Sequence, residues 1–230
     1  MNLQPPEHKV EEECIDVHSV FLTLQGEGPF AGERAVFIRM AGCNIMCRAC
    51  DTNYTTGRYN QTVNELVEHV QGLCNHSKGH LVIITGGEPF RQSALTALTA
   101  SLLLHKFRVQ IETNGTLYQK LPFDHYALTI VCSPKTPTLN REIIPYIDVY
   151  KYVGNHTNLD PGDGLPNTQL GDLRGPVGLY RAPKNANVYL QPLDAGSHFF
   201  NRMAQRAVVN SCIKHGYKLC LQIHKICDLP

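Results

Sequence analysis

Cys43-Asn44-Ile45-Met46-Cys47-Arg48-Ala49-Cys50 places three thiols within eight residues. Cysteinates hold iron–sulfur clusters, and three from one loop can bind three irons of a four-iron cluster, leaving the fourth open to another ligand. A structural zinc site wants four protein ligands, and no fourth cysteine lies close by. Cys47 and Cys50 alone have the spacing of a redox pair, but that reading leaves Cys43 without a role. A second segment with chemical content is Thr85-Gly86-Gly87-Glu88-Pro89, where paired glycines allow backbone to approach a ligand closely. A plain strand-to-helix turn would also account for that segment taken by itself.

Both segments need elements to carry them, and the surrounding periodicity supplies these. The cysteines follow an expected strand over Ala35–Arg39 and Gly42, which sets them in a loop at the strand's C-terminal end. In α/β barrels that end carries the chemistry. Thr62-Val63-Asn64-Glu65 reads as a capping box, and Val63, Leu66, Val67, Val70 and Cys74 then keep helical phase through Cys74. A buried strand is expected at Leu81–Ile84, and a second helix carries Leu95, Leu98 and Leu102. Further strands are expected near Arg108–Glu112, Ala127–Cys132, Ile147–Val153 and Lys218–Ile223. A third helix carries Phe200, Met203, Ala204, Ala207 and Val208. Strands separated by helices imply parallel pairing in a layered or barrel α/β fold, and one domain is expected over 1–230. Residues 1–14 read as a polar arm. The Gly- and Pro-rich stretch near 160–187 reads as a lid or a mobile, solvated insertion.

The composition narrows the classes. The chain has 230 residues, and 21 Lys plus Arg against 20 Asp plus Glu leave a net charge of +1. That balance argues against a large polyanion-binding surface, hence against direct nucleic-acid binding. The N-terminal segment has no apolar core of a signal peptide, and no apolar run reaches membrane-span length, so a cytoplasmic location is expected. Nine cysteines without an export signal fit bound metal or reactive thiols better than disulfides. Cys74, Cys132 and Cys220 fall in apolar patterns and read as core; Cys14, Cys212 and Cys227 have no assigned role.

The spacing of the three cysteines resembles the signature of the radical S-adenosylmethionine superfamily, and Thr85-Gly86-Gly87-Glu88-Pro89 stands where that superfamily contacts the amino group of S-adenosylmethionine. In the superfamily the open iron chelates S-adenosylmethionine, and reductive cleavage yields a hydrogen-abstracting radical. Further segments narrow the resemblance to the 7-carboxy-7-deazaguanine synthase family of 7-deazapurine and queuosine biosynthesis. They are Phe21-Leu22-Thr23-Leu24-Gln25-Gly26-Glu27-Gly28, Phe37-Ile38-Arg39-Met40-Ala41-Gly42-Cys43, Cys50-Asp51-Thr52, Ile111-Glu112-Thr113-Asn114-Gly115, Ser133-Pro134-Lys135, Gln191-Pro192-Leu193-Asp194 and Gln222-Ile223-His224-Lys225. The resemblance runs from about residue 15 to the last residue, the insertion excepted. It implies an incomplete (β/α) barrel with reduced helices. It also implies a carbon–nitrogen lyase that contracts the ring of 6-carboxy-5,6,7,8-tetrahydropterin to 7-carboxy-7-deazaguanine with loss of ammonia.

The resemblance also assigns residues. Cys43, Cys47 and Cys50 would hold one 4Fe-4S cluster. Ala49, Cys50, Asp51, Gly87, Ser133, Pro134, Lys135, Gln191, Pro192, Leu193 and Asp194 match positions that bind S-adenosylmethionine. Leu24, Gln25, Gly26, Glu27, Arg39 and Thr85 match substrate contacts, and the planar fork of Arg39 suits the substrate carboxylate. Thr52 matches the hydroxyl ligand of Mg²⁺, a cation that keeps most of its water. Pro230 matches a C-terminal proline whose carboxylate folds back to the substrate. His224, on an expected strand face with Cys220 and Gln222, reads equally as a substrate contact or a core histidine. No acid–base pair is assigned, because the radical comes from the cofactor. An electron donor such as a flavodoxin and a homodimer are the implied partners.

Ala49 departs from the aromatic residue that the family often carries before the last cluster cysteine. Two rival readings are a glycyl-radical enzyme activase, which shares the cysteine spacing, and a non-catalytic iron–sulfur or zinc module. The Leu-Gln-Gly-Glu-Gly segment and Arg39 separate the first from the family, and the absence of a basic stripe counts against the second.

Overall fold

The computed structural model describes residues 14–47, 50, 52–75, 79–169 and 178–230. The expected arm, apart from Cys14, lies outside these residues, as do Ala49, Asp51 and the 170–177 part of the insertion. Nine strands form one sheet in the order β3-β1-β2-β4-β5-β6-β7-β8-β9. They are β1 (Cys14–Leu24), β2 (Arg34–Met40), β3 (Tyr59–Thr62), β4 (Leu81–Gly86), β5 (Arg108–Thr113), β6 (Leu128–Cys132), β7 (Val149–Gly154), β8 (Val188–Pro192) and β9 (Lys218–Leu219). From β2 to β9 every pairing is parallel, whereas β1 runs antiparallel to both β2 and β3.

Helix α1 (Val63–Leu73) precedes β4, α2 (Leu95–Leu104) joins β4 to β5, α3 (His198–His215) joins β8 to β9, and the turn α4 (Ile223–Ile226) follows β9. Among the described residues no α-helix connects β5 to β6 or β6 to β7. The result is an incomplete (β/α) barrel with fewer helices than strands, as the sequence suggested.

Local chemistry fixes the helix ends. Thr62 Oγ1 accepts from the Glu65 amide while the Glu65 carboxylate accepts from the Thr62 amide, so the capping box closes and α1 begins at Val63. α3 stops at Gly216, which takes a left-handed φ of 76° as a C-terminal cap.

Successive strand side chains point to opposite faces, and that alternation decides what reaches the interior. Val36 and Ile38 of β2, Val82 and Ile84 of β4, and Val109 and Ile111 of β5 pack outward against Leu66 and Val70 of α1 and Leu98 and Leu102 of α2. Their in-between neighbours, Phe37, Arg39, Thr85 and Glu112, therefore face inward and line a cavity. Toward the other end of the sheet, Tyr150, Tyr152 and Leu190 pack with Val208 and Cys212 of α3, which turns Lys151 and Gln191 inward.

Three expectations need correction. The last strand ends after two residues rather than reaching Ile223, so His224 stands in a helical turn and not on a strand face. The cause is a competing bond: the Ile223 amide donates to the Gly26 carbonyl at 3.0 Å, which draws the chain away from β8 toward the loop after β1. The face of α3 is also rotated from the expected one. Its buried residues are Ala204, Val208, Ser211 and Cys212, while Phe200 is half exposed. Finally, the described parts of the 160–187 stretch are cross-braced. Ser211 Oγ donates to the Gly164 carbonyl at 2.7 Å, the Tyr217 hydroxyl to the Asp163 carbonyl at 2.6 Å, and Arg181 pairs with Asp163 at 2.8 Å.

Candidate active site

The interior side chains and the loops after the parallel strands enclose one cavity of about 380 Å³. Cys43, Cys47 and Cys50 all line it, held on the loop that leaves β2. That loop is fastened backbone to backbone onto the loop after β4. The Gly87 amide donates to the Met40 carbonyl at 3.0 Å and the Glu88 amide to the Gly42 carbonyl at 2.9 Å. The approach explains the glycine, since a Cβ at Gly87 would stand 1.7 Å from the Gly42 oxygen. Burial pushes the Cys43 thiol up to about 11 and raises that of Cys47. Among the described residues no three His, Cys, Asp or Glu side chains stand at metal-ligand spacing. Their donor chemistry, three sulfurs on one loop facing one cavity, is that of a cluster with an open iron.

Glu88 anchors the same region from below. It is fully buried, and its carboxylate accepts from the Phe90 amide at 3.1 Å, the Thr113 hydroxyl at 2.7 Å and the Asn114 amide at 2.7 Å. Burial raises its pKa to about 7, and the three hydrogen bonds only partly oppose that rise. Asn114 in turn donates to Asn44 at 2.9 Å, tying β5 to the cysteine loop.

Opposite the cysteines lies an ionic group that the sequence did not reveal. Lys151 on β7 donates to Glu27 at 2.5 Å and stands 3.8 Å from Glu112 on β5. Glu27 also accepts from Gln222 at 2.9 Å and from Gln191 at 3.3 Å. Glu112 accepts from Thr85 at 3.0 Å, from Gln110 at 2.9 Å and from Gln25 at 3.3 Å. Burial works against the charge on Glu27, but the ammonium of Lys151 beside it and the bonds from Lys151 and Gln222 prevail and take its pKa down to about 2. Burial likewise opposes the charge on Lys151, and the two carboxylates outweigh it, so the lysine holds its proton more tightly than a free one.

The remaining expected residues fall around this space. Leu24, Gln25, Gly26 and Glu27 line it from the loop after β1, and Arg39, which lies 5.4 Å over the Phe21 ring, lines it from β2. Thr52 lines it just past Cys50, whose sulfur is 3.7 Å from the Thr52 carbonyl. Gly87, Ser133, Lys135, Gln191, Leu193 and Asp194 line it as well. Lys135 donates to Ser133 at 2.5 Å, and Asp194 pairs with Lys225 at 2.9 Å, whose bond takes Asp194 down to about 2. Pro134 and Pro192 are not among the lining residues. Ala49 and Asp51 lie outside the described residues.

His224 and Pro230 reach the cavity because the chain doubles back after α4, where the Leu229 amide donates to the His224 carbonyl at 2.8 Å. His224 rests on Gly26, where a Cβ would come within 2.3 Å of its Nδ1. Cys220 is buried as expected, yet it is not merely core: it accepts from the Gly28 amide at 3.2 Å and donates to Gln191 at 3.3 Å.

Residues 37–131 match the model of the Radical SAM superfamily. A 7-carboxy-7-deazaguanine synthase of Rhodospirillum rubrum is 40% identical over 225 residues, spanning 93% of this chain and 92% of that protein. The chain belongs to the 7-carboxy-7-deazaguanine synthase family. A 7-carboxy-7-deazaguanine synthase of Rickettsia prowazekii is 34% identical over 220 residues, 92% of this chain and 87% of that one. The crystal structure of QueE from Escherichia coli superposes with a TM-score of 0.67 at 22% identity, over 94% of this chain and 100% of that chain, a likeness of fold. Membership of the 7-carboxy-7-deazaguanine synthase family brings a 4Fe-4S cluster, S-adenosylmethionine and a small-molecule substrate. It removes the ground for the activase and for the non-catalytic module. No helix among the described residues is long and apolar enough to cross a membrane.

Proposed function

We propose that the chain contracts the ring of 6-carboxy-5,6,7,8-tetrahydropterin to 7-carboxy-7-deazaguanine with loss of ammonia. The observation that carries this reading is the gathering in one cavity of three thiols, an arginine and two part-buried carboxylates braced by one lysine. When bound by Cys43, Cys47 and Cys50, the cluster with S-adenosylmethionine supplies the radical that takes the hydrogen at C6.

Every other task falls to the chain. Arg39, inward on β2, binds the substrate carboxylate through its fork of donors. Glu27 and Glu112 present acceptor oxygens to the amide and amino N–H groups of the pterin edge, and Gln25 adds a side chain that can donate or accept. Lys151 keeps Glu27 ionised in a place where burial opposes the charge. Thr85, bonded to Glu112, sits where a substrate edge meets β4. The Thr52 hydroxyl, past the last cluster cysteine, would be the protein ligand to Mg²⁺, a cation that keeps most of its water. Ser133, Lys135, Leu193 and Asp194, at the ends of β6 and β8, and Gly87 after β4, flank the cysteines where S-adenosylmethionine would lie. Ala49 and Asp51 belong to the same set by their place in the sequence. Leu24, Gly26, His224 and Pro230 close the substrate side. The family resemblance adds a low-potential electron donor such as a flavodoxin and a second copy of the chain as partners.

The test is anaerobic reconstitution with iron and sulfide, followed by reductant, S-adenosylmethionine and the carboxytetrahydropterin. A deazaguanine acid formed faster with Mg²⁺ is the expected product. Cleavage of S-adenosylmethionine without that product would refute the substrate assignment while leaving the superfamily chemistry standing. Arg39→Ala is expected to raise KM about 10- to 100-fold, the loss of a charge-assisted contact, with the bound iron unchanged.

A further inference from the structure

The stretch after β7 reaches further into the molecule than a surface insertion would. Gln169, at its inner end, is 8% exposed, and its Oε1 accepts from the Cys47 sulfur at 3.4 Å. The segment that delivers it is fixed from several sides. The Asn158 side chain donates to the Thr168 carbonyl at 3.3 Å, and the Asn158 backbone carbonyl accepts from the Asn167 amide at 2.8 Å. Arg181 donates to the Pro166 carbonyl at 2.7 Å and to Asn167 Oδ1 at 2.6 Å. Asn167 also donates to Asp160 at 3.1 Å. A buried side chain brought to a cluster cysteine by a segment braced this way, and not lining the substrate cavity, calls for a role at the sulfur.

We propose that Gln169 is a positioning residue for the cluster: its amide hydrogen-bonds the Cys47 sulfur and thereby raises the reduction potential. The inference rests on the cluster assignment above. An amide carries an acceptor and two donors on one planar group, so rotation about its last bond exchanges them. Facing the Cys47 thiol, it accepts, as here. Facing a cysteinate, the same group in the same place presents N–H. A donor to cluster sulfur favours the reduced form, which carries one more negative charge, and hydrogen bonds to the sulfurs are among the terms that set cluster potentials. The effect strengthens where water is scarce, as at this buried position.

The experiment compares the reconstituted wild type with Gln169→Met, which keeps the length of the side chain but has no N–H, and with Gln169→His, which restores a donor. Midpoint potentials are read by dye-mediated titration, following the EPR signal of the reduced cluster. The methionine variant is expected to disfavour reduction by up to about tenfold, which is about 59 mV more negative for a one-electron couple, with the histidine variant close to wild type. Equal potentials in wild type and Gln169→Met would overturn the proposal and leave the cluster assignment intact. A wild type that shows no reduced-cluster signal would overturn both. Should the methionine variant lose its cluster, alkylation of the cluster-free chain gives a second readout by mass spectrometry. Faster reaction at Cys47 with an unchanged rate at Cys43 supports the contact, and unchanged rates at both overturn it.

Discussion

Replacing Lys151 with methionine removes a positive charge that the part-buried carboxylates of Glu27 and Glu112 share. The size of the effect follows from Glu27, whose pKa falls from 4.5 to about 2. At 1.36 kcal/mol per tenfold, that fall is worth about 3.4 kcal/mol in favour of the charged form, net of the burial that opposes it. Lys151 is the foremost contributor to the lowering, so Lys151→Met should cost about 3 kcal/mol, in the range found when one partner of a buried ion pair is removed. In a chain of this size that is a fall in Tm of about 6–12 °C, measured by circular dichroism on the cluster-free protein.

The pH dependence gives the sharper test. A depressed carboxylate contributes stability above its unfolded pKa of 4.5 and loses it as pH falls toward 2. Wild type should therefore lose stability over that window, and Lys151→Met should lose less. Adding Glu27→Gln to the lysine variant should restore part of the loss, because one of the two stranded carboxylates is gone. Equal stability of wild type and Lys151→Met above pH 5, or no recovery in the double variant, would refute the electrostatic account.

Three further outcomes are expected. Glu88, with its pKa raised from 4.5 to about 7, holds a proton in the fold that the unfolded chain releases, so stability should decline as pH rises from 4.5 to 7. Denaturant melts should show wild type losing about 3 kcal/mol more than Glu88→Gln across that window. Gly87→Ala, whose new Cβ meets the Gly42 oxygen, should cost about 1–3 kcal/mol and lower the iron retained after reconstitution, checked by iron analysis and melting. Thr62→Ala breaks the capping box of α1 and should cost about 1 kcal/mol, a Tm shift of about 2–4 °C by calorimetry, with cluster content unchanged.

What the sequence disclosed and what it hid divide along a physical line. The cysteine loop, the paired glycines and the capping box are local: their meaning lies in spacing within a few residues. The long apolar strands and α1 were legible for the same reason. Lys151 was not, because in Val149-Tyr150-Lys151-Tyr152-Val153 a lysine between aromatics resembles the wet side of a strand. In a parallel sheet covered on both faces that position points into the protein, and its partner Glu27 is 124 residues away in the chain. Glu112 stood inside a recognised segment, yet only the register of β5 against β6 turns it inward. Glu88 followed the glycines and passed as part of a turn, since nothing in its neighbours announces the amides of Phe90 and Asn114 that it accepts. The short β9 and the helical turn at His224 could not be foreseen either, because the bond that bends the chain there is made to Gly26, far off in sequence. Gln169 escaped notice in a stretch whose glycines and prolines suggested a loose loop.

The tie between Gly26 and Ile223, with Gln222 reaching back to Glu27, joins the start of the sheet to its last turn. During synthesis the two ends of this tie leave the ribosome at opposite times. The cysteine loop and β2 emerge first, whereas Gln191, Gln222 and His224, which complete the surroundings of Glu27, emerge much later. The cysteine side of the cavity can therefore be in place while the side facing Glu27 is still unmade. Delivery of iron and sulfide to a nascent chain would meet an open mouth, and the same delivery after release would meet one already drawn together by Gln222 and Ile223.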